Sequence, residues 1–490
     1  MTDVLARRVR ASPEATALIA TDGREWSYRD LDERVERTAG RLAALGLSGA
    51  HLGCLLETRP ATVALVHAAA RLGCVLAPLN TRLTPAELDG HIERADLAAL
   101  VCGVDTAATA VELSTEIPVA SVDDADRPGV TGLDDVSPAE FTPARRDADE
   151  PALMLSTSGT TGEPKLVVLT MQNVLSSAVA SAFRLGVTPD DRWLDPLAVY
   201  HMGGFAPPVR SALYGTAVVV TGGFDAETTL DALDRFDCTG ISLVPTMLRR
   251  LLDAGSLSDS LRFVLLGGAP ASEELIERCG ERGVPVHPTY GMTETASQVA
   301  TARPKEAFAH TGTVGRPLFG TDLTILGGDG TTVETGEAGE LVVAGPTVFS
   351  NYYGDSEATA RAFSEHGFHT GDVGHRDEDG RLWVTGRRDE MVSSGGELVS
   401  PREVASALRE HPAVREASVV GLADPEWGER VGALVVGDVS DAEAVRSHCR
   451  ERLAGFKLPR TIGFADELPR TASGTVEREA VRERLLETGE

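Results

Sequence analysis

The chain has 490 residues, 42% of them hydrophobic, and carries 74 Asp plus Glu against 46 Lys plus Arg, a formal net charge of -28. That length exceeds one compact core, so two or more domains are expected, with the apolar content of a soluble globular protein. The acidic balance argues against nucleic acid or an anionic membrane surface as a partner. Only three of the basic residues are lysines, Lys165, Lys305 and Lys457, and an acidic, lysine-poor surface suits a salt-rich cytoplasm in which counter-ions screen self-repulsion.

The N-terminus carries Arg7, Arg8 and Arg10 without a following apolar stretch, unlike a signal peptide. The strand expected at 17–19 leads into an amphipathic helix at 28–45, with Leu31, Val35, Ala39, Leu42 and Leu45 near a 3.6-residue period. The most apolar window, 61–79, is broken by His67 and Arg71 and is expected to be a buried helix plus strand, not a membrane span. Strand-helix pairs follow at 74–78 and 85–94, 217–220 and 226–236, and 263–266 and 271–279. This alternation predicts parallel sheets covered on both faces. Residues 104–150, rich in Asp, Pro, Ala and Ser, are expected to form a surface excursion. From about residue 339 the runs 340–343 and 382–384, separated by Gly-rich turns, predict antiparallel β structure. A helix at 401–410, strands at 417–422 and 432–436 and a helix at 442–453 then make a compact α+β unit. The expected architecture is α/β: a large N-terminal domain, 1–388, of parallel or mixed sheets with flanking helices and a small β-rich subdomain, then a small mobile α+β domain, 389–490. Six cysteines, Cys54, Cys74, Cys102, Cys238, Cys279 and Cys449, show no metal-ligand spacing and fit a reduced, cytoplasmic interior.

One loop stands out. Thr157-Ser158-Gly159-Thr160-Thr161-Gly162-Glu163-Pro164-Lys165 follows the apolar run 152–155. Two glycines free backbone N–H groups, four hydroxyls add donors, and a lysine closes the loop, an inventory that suits a polyphosphate. The lysine follows Pro164, so this is not a Walker-type loop; a polar surface turn is the competing reading.

The loop is followed, in order, by Tyr290-Gly291-Met292-Thr293-Glu294, Thr370-Gly371-Asp372, Gly386-Arg387-x-Asp389 and Ser394-Gly395-Gly396-Glu397. Together these resemble the motif series of adenylate-forming acyl-CoA synthetases, over about residues 10–480. The resemblance implies an enzyme that uses ATP and Mg²⁺ to convert a carboxylic acid to an acyl-adenylate, after which coenzyme A displaces AMP. It places Thr157, Ser158, Gly159, Thr160, Thr161 and Gly162 around the β- and γ-phosphates, with Lys165 adding charge. Thr293 would lie at the α-phosphate and Glu294 would hold the Mg²⁺. Gly267, Gly268, Ala269, Thr289 and Tyr290 would frame the adenine, and Asp372 and Arg387 would bind the ribose. Tyr200 and His201 would gate the passage from acyl pocket to thiol tunnel; Asp389 would be the domain hinge, and Gly395 and Gly396 would line the pantetheine tunnel.

The segment 290–299, together with Leu79-Asn80-Thr81-Arg82-Leu83 and 209–215, is similar to o-succinylbenzoate-CoA ligases of menaquinone synthesis. Such a substrate carries a second carboxylate. Arg210 is the candidate to pair with it, with Ser297 and Gln298 adding hydrogen bonds; the competing reading of Arg210 is a helix-surface charge. Leu166 and Met171 depart from the family near the phosphate loop. More seriously, Thr475 stands where the family carries the lysine that bridges substrate carboxylate and phosphate; Lys457 is one substitute. An active ligase leads, whether for succinylbenzoate or another aromatic or fatty acid, and an adenylate-binding pseudo-enzyme is the alternative. Oligomeric state, including a homodimer, is left open by the sequence.

Overall fold

The computed structural model describes residues 3–113, 117–124, 127–157, 165–394, 397–424, 428–453, 455–470 and 476–488. The chain divides into two compact units, one of 1–323, 343–368 and 380–382, the other of 324–342, 369–379 and 383–490.

The first unit holds two sheets. In the nine-stranded sheet, Thr16–Ala20, Ala217–Val220, Arg192–Asp195, Gly240–Leu243, Phe263–Leu266 and Val286–Tyr290 lie side by side and parallel. Antiparallel strands close both edges. The eight-stranded sheet is parallel from Pro151–Thr157 through Val75–Pro78, His51–Leu55 and Ala99–Cys102 to Val130–Gly132. Its other end adds Lys165–Thr170 and Asn351–Tyr352 in antiparallel register. Leu18 and Val218 of one sheet and Leu52, Leu76 and Val167 of the other belong to one core, joined by the helices Tyr28–Ala44, Pro60–Leu72 and Met202–Tyr214.

Local chemistry explains the helix starts. Ser27 and Asp30 form a capping box for Tyr28–Ala44, and Thr84 and Glu87 form one for Pro85–Arg94. Pro60–Leu72 is buried on nearly every face, so this apolar window is indeed a core helix followed by a strand. Residues 104–150 differ from the expectation. They hold a helix, Ala107–Leu113, and two strands, Val119–Ser121 and Val130–Gly132, that extend the parallel sheet. Three-residue strands are too short to leave a periodic signature.

In a further sheet, Asp322–Leu326, Gly339–Ala344 and Gly367–Arg376 are neighbours, with Leu382–Arg387 pairing on the last. A separate mixed sheet centres on Gly428–Gly437, flanked by Val414–Asp424 and Thr461–Ala465. Successive side chains in a strand point to opposite faces. Val419, Val431 and Val435 accordingly pack with Val404 and Leu408 of helix Pro401–Arg409, whereas Val420, Leu434 and Val436 pack with Val481 and Leu485 of helix Arg478–Thr488.

Candidate active site

Pro151–Thr157 and Lys165–Thr170 form an antiparallel hairpin in which Thr157 lies opposite Lys165. Ser158, Gly159, Thr160, Thr161 and Gly162, in the connection, lie outside the described residues. The next described element is a strand, not the helix that a Walker motif opens, in agreement with the sequence evidence. Lys165 brings its ammonium to 4.9 Å from the centre of the Tyr352 ring, and the Tyr352 hydroxyl donates to Glu294 Oε1 at 3.1 Å.

Glu294 belongs to the tight turn Thr293–Thr295 that follows strand Val286–Tyr290. The next backbone is strained: Ala296 has φ 49° and Ser297 φ 109°, conformations that cost of order 1–3 kcal/mol each in non-glycine residues. The Ser297 N–H donates to the Met292 carbonyl at 3.2 Å, and the Phe349 N–H donates to the Glu294 carbonyl at 2.8 Å. Gly291 is required beneath the turn, since a Cβ there would stand 1.7 Å from the Ser297 carbonyl oxygen. One strand over, a Cβ on Gly267 would stand 2.7 Å from Thr289 Cγ2. The loop of Gly267, Gly268 and Ala269 therefore follows strand Phe263–Leu266 beside Thr289 and Tyr290 at the carboxyl ends of adjacent parallel strands, where open α/β sheets bind ligands.

Glu294 offers the hard oxygen that Mg²⁺ takes. Among the described residues no three His, Cys, Asp or Glu side chains gather to hold a metal by themselves. An ion at Glu294 would thus complete its shell with phosphate oxygens and water, as Mg²⁺ does beside nucleotides.

A second group of the candidate residues is built on and around helix Met202–Tyr214. His201 caps it without a side-chain hydrogen bond. Gly204 lets the helix press on the preceding loop, where a Cβ would stand 2.4 Å from the Ala198 carbonyl oxygen. Tyr200 is buried and meets the His201 ring edge-on at 4.7 Å. Burial raises the Tyr200 phenol, opposed by the Arg82 guanidinium. The His201 ring is solvent-accessible, yet the protein atoms crowded around it, and then Arg82, lower its pKa. It is the neutral imidazole at neutral pH.

Arg210 is not a surface charge. It is 7% exposed, and its guanidinium donates to Ser177 Oγ at 3.3 Å and Gln298 Oε1 at 3.4 Å. Gln298 is fully buried and donates onward to Thr301 Oγ1 at 3.0 Å, which shares a 2.8 Å bond with Thr289. Burial lowers the Arg210 pKa, and among the described residues no carboxylate pairs with it. Arg210 and Gln298, both buried, are thus joined through Thr301 to the half-buried Thr289; Ser297, beside Gln298 in the chain, is half-buried in the strained turn. Ser177 and Tyr352 were invisible to sequence reasoning, the first inside an ordinary amphipathic helix, the second in a two-residue strand.

In the second unit Asp372 is buried at 7% exposure. Arg387 donates to Asp372 Oδ1 at 3.4 Å and to the Thr370 carbonyl at 3.0 Å. Gly371, at φ 71°, brings the backbone so near that a Cβ would stand 3.0 Å from Arg387 Nη2. Asp389 lies in the turn Arg388–Glu390. Gly395, Gly396 and Thr475 lie outside the described residues. Lys457 is held by both oxygens of Glu403, at 2.6 and 2.8 Å.

A lysine at the hairpin end, a carboxylate in the turn after a strand and a glycine-rich loop at adjacent strand ends suit a nucleotide site, and family models agree. Residues 5–353 match the AMP-binding enzyme family and 403–475 the AMP-binding enzyme C-terminal domain, so the chain belongs to this family. Within it, the chain is 36% identical to the 2-succinylbenzoate–CoA ligase of Listeria monocytogenes serotype 4b, covering 99% of each chain. It is similar to the o-succinylbenzoate CoA synthetase of Bacillus subtilis in complex with its acyl-adenylate intermediate, at TM-score 0.90, 35% identity and 98% of each chain. The complex of that enzyme with ATP and magnesium ion matches at TM-score 0.89, 35% identity and 99% of each chain.

Proposed function

We propose that the chain is an ATP-dependent, AMP-forming acid–thiol ligase that converts 2-succinylbenzoate to its acyl-adenylate and then to the coenzyme A thioester. The observation that carries the acyl assignment is the buried Arg210 without a carboxylate partner among the described residues. An unpaired buried charge is costly, and a substrate with a second carboxylate offsets that cost on binding. A purely apolar acid would leave the guanidinium unsatisfied.

On this reading Lys165 and the 157–162 loop receive the β- and γ-phosphates, Thr293 meets the α-phosphate and Glu294 takes the Mg²⁺, which neutralises developing charge. Gly268, Ala269, Thr289 and Tyr290 receive the adenine. Asp372 accepts from the ribose hydroxyls, its side chain already oriented by Arg387. Neutral His201, beside Tyr200, gates the thiol path, and the C-terminal domain, 389–490, turns about Asp389 with Gly395 and Gly396 lining the tunnel. The buried, unbridged cysteines support a reducing, cytoplasmic setting. Among the described residues no helix is long and apolar enough to cross a membrane. For a homodimer, the face to test is the stacked Phe183–Phe319 pair, each ring 70% exposed.

The test is pyrophosphate release and thioester formation with 2-succinylbenzoate, ATP and CoA in high salt, where Lys165→Ala should lose at least about 10²-fold in pyrophosphate release. A mild effect would count against the phosphate role of Lys165. A second reading, an adenylate-binding protein with slow turnover, is favoured by Thr475 and by the engagement of Lys457 with Glu403. Nucleotide binding without pyrophosphate release above background would select it.

A further inference from the structure

The sequence motifs do not include Tyr352, yet its side chain touches two of the proposed phosphate-site residues. It sits in the short strand Asn351–Tyr352, registered against Val167 and Val168 of the Lys165–Thr170 strand. The Tyr353 N–H, donating to the Leu166 carbonyl at 2.8 Å, pins it on one side, and the Phe349 N–H, donating to the Glu294 carbonyl, ties its segment to the carboxylate turn. The ring is 6% exposed and packs on Phe349 at 4.7 Å, so its position is fixed by the core.

From that position the two ends of one side chain do different things. The ring face receives the Lys165 ammonium at 4.9 Å, and the hydroxyl donates to Glu294 Oε1 at 3.1 Å. Among the described residues Lys165 makes no ion pair, with Glu294 or any other acid. An ammonium and a carboxylate this near one tyrosine would gain by closing on each other where they are partly shielded from water. A closed pair would leave neither group available to phosphate or metal. A ring satisfies the cation through its quadrupole without neutralising it, and a hydroxyl orients a carboxylate without discharging it.

We propose that Tyr352 is a positioning residue for nucleotide activation: its ring holds the Lys165 ammonium apart from the Glu294 carboxylate, and its hydroxyl aims that carboxylate at the Mg²⁺ of the bound nucleotide. The proposal rests on the nucleotide-activating function proposed above. It concerns the first half-reaction, the one that uses the phosphate and Mg²⁺ roles proposed for Lys165 and Glu294, the two charged groups that Tyr352 meets.

The test compares Tyr352→Phe, which keeps the ring, with Tyr352→Leu, which removes ring and hydroxyl. MgATP binding is measured by calorimetry across a Mg²⁺ titration, pyrophosphate release reports adenylation, and thioester formation from supplied acyl-adenylate reports the second half-reaction. Tyr352→Phe should raise the Mg²⁺ concentration for half-maximal MgATP binding and adenylation about tenfold, the effect of losing one hydrogen bond to a charged group. Tyr352→Leu should lower adenylation at saturating Mg²⁺ by about 10², with thioester formation from supplied adenylate within about twofold of wild type for both variants. An unchanged Mg²⁺ profile in Tyr352→Phe, or equal losses in both half-reactions, would overturn the proposal, the latter marking a merely structural tyrosine. If the wild type released no pyrophosphate, the functional reading would fail, and the calorimetric Mg²⁺ shift would still decide the role of Tyr352.

Discussion

Arg71 and Arg210 are both buried guanidiniums, 4% and 7% exposed, on the helices Pro60–Leu72 and Met202–Tyr214 of the same unit. Their surroundings are opposite. Arg71 meets Asp3 at 2.6 Å, Glu36 at 2.8 Å and Asp32 as well. Burial works against its charge, but the carboxylates prevail and raise its pKa. Among the described residues Arg210 has only the neutral oxygens of Ser177 and Gln298 as hydrogen-bond partners, and burial lowers its pKa. A charge that the chain itself neutralises is part of the scaffold; a charge left with neutral partners suits a ligand that brings the missing carboxylate.

The contrast can be broken by mutation. Removing Arg71 leaves three acids facing one another, so Arg71→Ala should cost about 3 kcal/mol of stability, toward the low end because Glu36 is half exposed. Chemical denaturation would measure the loss, and specificity among acids should stay as in wild type. Arg210→Met should do the reverse: it replaces an unpaired buried charge by an apolar chain of similar length, so stability should change by less than about 1 kcal/mol or rise. A loss matching that of Arg71→Ala would show that Arg210 has a structural partner after all.

Asp195 sharpens the comparison from the acidic side. It is fully buried, with Oδ2 unpartnered among the described residues, and burial pushes its pKa well above the usual carboxylate range. A folded state that binds an extra proton loses stability as pH rises from the unfolded pKa, near 4, up through the folded pKa. Asp195→Asn should therefore gain on wild type progressively in thermal melts from pH 5 to 8 and show no such gain at pH 4; a gap independent of pH would contradict a titrating Asp195. The smallest effect concerns surface charge. With a formal net charge of -28, the melting temperature should rise by a few degrees between low and molar KCl, equally in wild type and in Arg71→Ala, because the buried cluster is screened far less than the surface.

Much of this was legible in the sequence where local chemistry is decisive. The helix expected at 85–94 is observed as Pro85–Arg94, because Thr84, Pro85 and Glu87 together fix its first turn. The glycines at 267 and 268 suggested close backbone approach, and the space around Gly267 leaves no room for a side chain; the tighter demand at Gly291 shows only in the structure. The burial of Arg210 was not legible. Its helix is apolar on nearly every face and contains Pro207 and Pro208, so periodicity assigns no outer side on which to seat a charge. Tyr352 escaped for another reason: a two-residue strand carries no pattern, and its contacts to Lys165 and Glu294 come from segments far apart in the chain.

The most direct test is a cycle of two substrates and two enzymes, measuring kcat/KM for 2-succinylbenzoate and for an analogue whose aliphatic carboxylate is replaced by a methyl ester, in wild type and in Arg210→Met. If the buried guanidinium pairs with the second carboxylate, wild type should prefer the diacid by about 10² or more and the variant should lose nearly all of that preference. An equal loss for both substrates would contradict the assignment of Arg210.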